Sequence, residues 1–182
     1  MTEPETTDNG EGTAASQDRN HRAVREEITS WLVGEGYSVR EGQVQDAAWM
    51  LVAEDPAQRR FMVGQKTNRP DVVVMQGTVA QAEEHAQRLD GLGGVEREEF
   101  LYDLRFRLLD MGLDFQGVSH PLRQVILNDH LYWEDIGRNE FFRTLKRLRH
   151  GILAVIWSVG RKLNQPAPTA ASGGGAGGAE VN

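Results

Sequence analysis

The segment from Arg138 to Lys162 constrains this chain more than any other. Phe141, Leu145, Leu148, Ile152, Val155 and Val159 recur three or four residues apart, one apolar stripe at helical period. In the second half Leu153, Ile156 and Trp157 fall outside that stripe, so the helix is apolar all round from Ile152 to Val159. A bilayer span needs about 20 apolar residues, and this run, set between His150 and Arg161, is too short. Such a helix must bury itself against protein, and other elements have to cover it.

The upstream pattern supplies them. Val24, Ile28, Trp31 and Leu32 share one helical face, which predicts a helix from Asn20 to Gly34 or Gly36, with Tyr37-Ser-Val39 extended beyond it. Three strands are expected at Ala48–Ala53, Arg60–Val63 and Asp71–Gln76, joined by turns short enough to require antiparallel pairing. Val72 and Val74 are apolar, but so are Val73 and Met75, and apolar residues at both parities predict central strands covered on both faces. Thr78-Val-Ala-Gln81 matches a capping box and places a helix start there, running to Leu89. After the linker Asp90-Gly-Leu-Gly-Gly94, a helix from Glu96 to Met111 buries Phe100, Leu104, Leu108 and Met111. Extended pieces at Leu113–Val118 and Gln124–Trp133 precede the terminal helix. The expected order is α-β-β-β-α-α-β-β-α, an α+β fold whose antiparallel sheet of about five strands packs with helices.

Charge and composition set the boundaries. The chain has 182 residues and a formal charge of −7, of which −4 lies in residues 1–20 (Glu3, Glu5, Asp8, Glu11 and Asp18 against Arg19). Residues 1–20 and the Pro/Ala/Gly-rich residues 164–182 read as disordered tails, because neither has the apolar side chains to offset the entropy of ordering. One α+β domain is expected over residues 21–163. No cysteine is present, which excludes disulfides, thiolate nucleophiles and sulfur-ligated zinc. A nearly neutral body on an acidic chain argues against nucleic acid as partner. The opening residues lack a basic start followed by an apolar run, so a cytoplasmic protein is expected.

The stretch from Val125 to Phe142 resembles small archaeal and bacterial proteins of unknown function with a type III secretion chaperone-like, YbjN-type fold. Tyr132 and Trp133 at a strand end, the acidic turn Glu134-Asp135 and Phe141 near the start of a long terminal helix carry the likeness. It spans about residues 22–162 and departs at Gly137, where Thr or Ser would cap the helix better. The resemblance implies a compact α+β module, often dimeric, that binds another protein and has no catalytic residues to transfer.

The residues themselves point the same way. Trp133 and Trp157 are candidate aromatic anchors for a partner, with Arg143, Lys146 and Arg147 from a basic stripe on the terminal helix as rim contacts. Ile152, Val155, Ile156 and Val159 belong to the core or to a homodimer contact, since the helix and sheet ask for more cover than one small domain easily gives. The histidines lack the spacing of metal ligands, and no metal or other cofactor is expected. The competing reading is a metal-dependent enzyme built on Asp129, His130, Glu134 and Asp135. The expected function is a non-enzymatic protein-binding module, chaperone-like or adaptor.

Overall fold

The computed structural model describes residues 10–132 and 136–164, with side chains from His21 onward. Its elements are α1 (Gly10–Gly34), β1 (Ser38–Glu41), β2 (Ala47–Glu54), β3 (Arg60–Lys66), β4 (Arg69–Ala80), α2 (Glu83–Asp90), α3 (Gly94–Asp110), β5 (Asp114–Gln116), β6 (Gln124–Tyr132) and α4 (Arg138–Asn164). The strands form one antiparallel sheet in the order β1-β2-β3-β4-β6-β5. The α+β class and the element order follow the sequence pattern, with Ser38–Glu41 forming an additional edge strand.

Register explains where the core lies. Leu51 pairs with Val63, Val63 with Met75, and Val73 with Leu131, so odd-numbered residues of β2, β3, β4 and β6 share one face. That face joins Val24, Ile28 and Leu32 of α1, Leu101, Leu104 and Leu108 of α3, and Phe141, Leu148 and Val155 of α4 in a single core. Among the described residues, all helical cover comes from this side. The expected burial on both faces is met only in part: on the opposite face Val72 is buried and Val74 half-buried.

Three other expectations differ. Thr78-Val79-Ala80 continues β4, because these residues pair with Ile126, Val125 and Gln124 of β6. Ladder partners satisfy the backbone groups that a capping box would have served. Helix α2 starts instead at Glu83 after Ala82, which makes no side-chain cap, and the Gln81 side-chain nitrogen is buried without a hydrogen-bond partner. Helix α1 extends back to Gly10, since a nucleated helix gains one bond per added residue. Helix α4 is not covered all round: Val155 and Val159 are in the core, Leu153 is half-buried, and Ile156 and Trp157 remain 47% and 67% exposed. The sheet, α3 and α2 pack on it, and Trp31 of α1 meets Phe141 near its start, but none covers Ile156 and Trp157.

Close approach and polar contacts fix α4 in place. A Cβ on Gly77 would lie 2.7 Å from Ile152 Cδ1, and one on Gly151 would lie 2.3 Å from Leu113 Cδ1. These two glycines let helix and sheet interlock. Arg147 then forks onto the buried Asp129 of β6, Nε to Oδ2 at 2.7 Å and Nη2 to Oδ1 at 2.8 Å. The contact holds the Arg147 proton more firmly than usual, chiefly through the hydrogen bonds to Asp129.

A second carboxylate organises the β2–β3 turn. Asp55 is buried and accepts the backbone N–H groups of Ala57 (2.9 Å) and Arg59 (3.0 Å), and the Arg59 side chain at 2.7 Å. Burial alone would raise its pKa, but the backbone and guanidinium bonds from Arg59 together outweigh burial and hold it below the usual carboxylate value. On the far side of the molecule, Gln65 joins α1 to the sheet. Its Oε1 accepts Trp49 Nε1 at 2.7 Å and meets His21 Nδ1 at 2.9 Å, while its Nε2 donates to Pro70 O at 2.8 Å. Indole N–H only donates, so the oxygen is assigned and His21 must carry its proton on Nδ1.

Two outcomes follow for stability. Arg147→Ala strands the Asp129 carboxylate and costs about 2 kcal/mol, less than a fully buried pair because the guanidinium is partly wet. The apolar double variant Asp129→Leu/Arg147→Met recovers most of that loss in thermal melts. A carboxylate with a depressed pKa adds stability above its unfolded value and loses it as the pH falls through the folded one. Asp55→Asn is thus less stable than wild type at pH 7 by about 2 kcal/mol, and melts across pH show the gap closing below roughly pH 4.

Candidate functional site

The even-numbered residues of the central strands build the sheet's second face. Cross-strand register places Met50, Gly64, Val74 and His130 in one row, and Val52, Met62, Gln76 and Asn128 in the next. Ile126 lies beyond them, opposite Thr78 and Gln116. The half-buried centre sets Met50, Met62 and Val74 beside the polar Gln76 and Asn128, and no helix among the described residues packs on it. Gly64 forms the floor. A Cβ there would sit 2.6 Å from the Trp49 carbonyl oxygen and 3.1 Å from Met50 Sδ. Between Met50 and Val74 the missing side chain opens a trough of about 790 Å³. Asp46, Lys66 and Thr67 edge it at one end, and Asp114, Gln116 and His130 at the other, where His130 Nδ1 lies 3.4 Å from Asp114 Oδ2.

Apolar side chains set inside a rim of hydrogen-bonding ones have the anatomy of a protein interface. Two of its central residues are methionines, whose unbranched, polarizable side chains adapt to different shapes. The sheet edges offer less. β1 has four residues and β5 three, too short to template a long added strand.

The residues singled out from sequence are dispersed. Trp157 is exposed on α4, and Trp133, Glu134 and Asp135 lie outside the described residues. Arg143 is exposed and pairs with Glu140 at 2.8 Å. Arg147 is turned toward the sheet and engaged by Asp129, so it does not share a surface with Lys146. Lys146 is exposed and makes no ion pair among the described residues; with Arg149 and His150 it lines a separate depression. Ile152 packs on the core beside Val155 and Val159, whereas Ile156 faces outward.

Strand geometry also separates the proposed metal ligands. Asp129 points into the helix-covered face and is held by Arg147 and by the His130 backbone N–H at 2.9 Å. His130 projects from the opposite face. Among the described residues, no group of three or more His, Asp or Glu is placed to hold a metal ion. The same residues contain no helix long and apolar enough to cross a membrane.

Sequence reading missed Met50, Met62 and Val74 of the trough, and Ile126 beyond it on the same face, as a set. Their signal was the second apolar parity in β4, which marks a face that wants a partner as well as one already covered.

Comparison with known proteins locates the chain. No curated protein matches it in sequence. The crystal structure of an uncharacterized protein from Methanothermobacter thermautotrophicus has the same fold, with a TM-score of 0.72 and 23% identity over 77% of this chain and 99% of that one. The crystal structure of the ExsC–ExsE complex contains a chain with a TM-score of 0.43 and 16% identity, over 80% of this chain and 92% of that one. The family model described as Uncharacterized conserved protein (DUF2299) matches residues 24–159. Matched over nearly the whole of its α+β body, the chain belongs to that family.

Proposed function

We propose that this chain is a non-enzymatic protein-binding module whose open sheet face receives an amphipathic segment of another protein. The observation that carries the reading is the trough over Gly64, lined by Met50, Met62 and Val74 and left uncovered among the described residues on the side away from the helices. A segment laid there completes a helix–sheet–segment sandwich, the layer arrangement that buries both faces of a sheet. Affinity would rest on a few apolar anchors seated on Met50, Met62 and Val74 and running on to Ile126 of the same face, with the polar ends setting direction.

A second reading, compatible with the first, is self-association of the chain. It is favoured by a stripe on α3, Val95, Tyr102, Phe106 and Leu109, which shares one helical face and is exposed throughout. Self-association through that stripe makes a homodimer that Phe106→Lys disperses in sedimentation velocity. It would leave the trough free.

The reading is tested with a displayed peptide library panned against the full chain. Enriched peptides carry apolar residues on one side, and the double variant Met62→Lys/Ile126→Lys binds them roughly tenfold more weakly or worse. The variant keeps its melting temperature, because both positions are half-exposed. Undiminished binding by the variant, or no enrichment at all, overturns the proposal.

A further inference from the structure

The side of α4 facing away from α3 carries a second concavity, independent of the sheet face. It is a depression of about 860 Å³ between the α1–β1 junction, the β2–β3 turn and the first half of α4. Its floor is apolar, made by Phe142, Leu145 and Leu153. Its walls carry Arg59, Arg138, Lys146, Arg149 and His150 against two acids, Glu35 and Asp55.

Both acids are already in use. Glu35 takes Arg138 at 2.6 Å, and the buried Asp55 takes Arg59 at 2.7 Å. Arg149 is held between Asp55 Oδ2 at 3.6 Å and the Tyr37 hydroxyl at 3.3 Å. Two guanidinium groups around one carboxylate leave a net positive charge on a side chain fixed in direction. Lys146 and His150, one helical turn apart on the same wall, have no ion-pair partner among the described residues. Beyond Leu153, the exposed Ile156 and Trp157 extend the apolar floor along α4.

We infer that this groove is a recognition site for an acidic, amphipathic peptide segment of another protein. Carboxylates of the segment meet Lys146, Arg149 and His150, and an apolar residue beside them packs on Phe142 and Leu153. Charge complementarity selects the sign of the partner, and the apolar floor selects a peptide over a bare anion. Helix α1 has 25 residues and its Gly34 end abuts the groove, so it carries the chain about 37 Å away to Gly10.

The experiment measures fluorescence anisotropy of a labelled peptide alternating Glu pairs with Leu and Phe, titrated with the full chain. Three controls accompany it: the same peptide with Gln for Glu, a poly-Glu peptide, and inorganic phosphate as competitor. The acidic amphipathic peptide binds best, its affinity falls with added salt, and Lys146→Glu/His150→Glu weakens it roughly tenfold or more. Both positions are exposed, so the variant folds, and the trough variant Met62→Lys/Ile126→Lys binds this peptide as wild type does. Equal binding of the Gln peptide, no effect of the charge reversal, or competition by phosphate at the peptide's own concentration overturns the inference. Loss of binding in the trough variant instead would move the peptide to the sheet face.

Discussion

A six-stranded sheet presents two faces, and the packing of α4 decides which of them the helices close. Gly77 and Gly151 allow the helix to sink onto β4 and β6 until Ile152 and Leu113 fill the gaps a side chain would occupy. The fork of Arg147 on Asp129 then fixes its azimuth. With α4 committed to the odd-numbered face, α1 and α3 flank it on the same side, and one core forms. Everything surface-bound follows from that commitment: a bare trough on one side, and a basic, apolar-floored groove on the other.

Three buried polar groups make the arrangement specific. Asp129, Asp55 and Gln65 each sit almost out of water, and each is saturated by partners from another element or the adjoining turn. Left unpaired, any of them would cost more than its bonds return, so alternative packings of the same apolar residues are penalised. Gln65 is notable for what it demands of others. Its oxygen forces one tautomer on His21 and one orientation on the Trp49 indole, tying α1 to β2 and β3 through a single amide.

Much of the fold was legible in the amino-acid order, because periodicity reports burial directly. The α4 stripe, the α1 stripe and the antiparallel strands from Ala48 to Gln76 all stand close to where spacing put them. Thr78-Val-Ala-Gln81 misled because a capping pattern is local, whereas pairing with Ile126, Val125 and Gln124 comes from 44 or more residues away. Both-parity strands misled for a related reason. Val72 and Val74 show that a face avoids water, without saying whether helix, partner or only neighbouring strands shelters it. On the candidate site, spacing grouped Arg147 with Lys146, but one step around a helix turns a side chain by about 100°, enough to send Arg147 to Asp129 and leave Lys146 facing the groove.

A naked apolar sheet usually invites stacking into filaments, because each new chain can prolong the hydrogen-bonded ribbon sideways. Here the ribbon terminates in four residues on one flank and three on the other. The flanking strands are thus poor templates for lateral growth, and what the geometry leaves open to a neighbour is the broad surface between them.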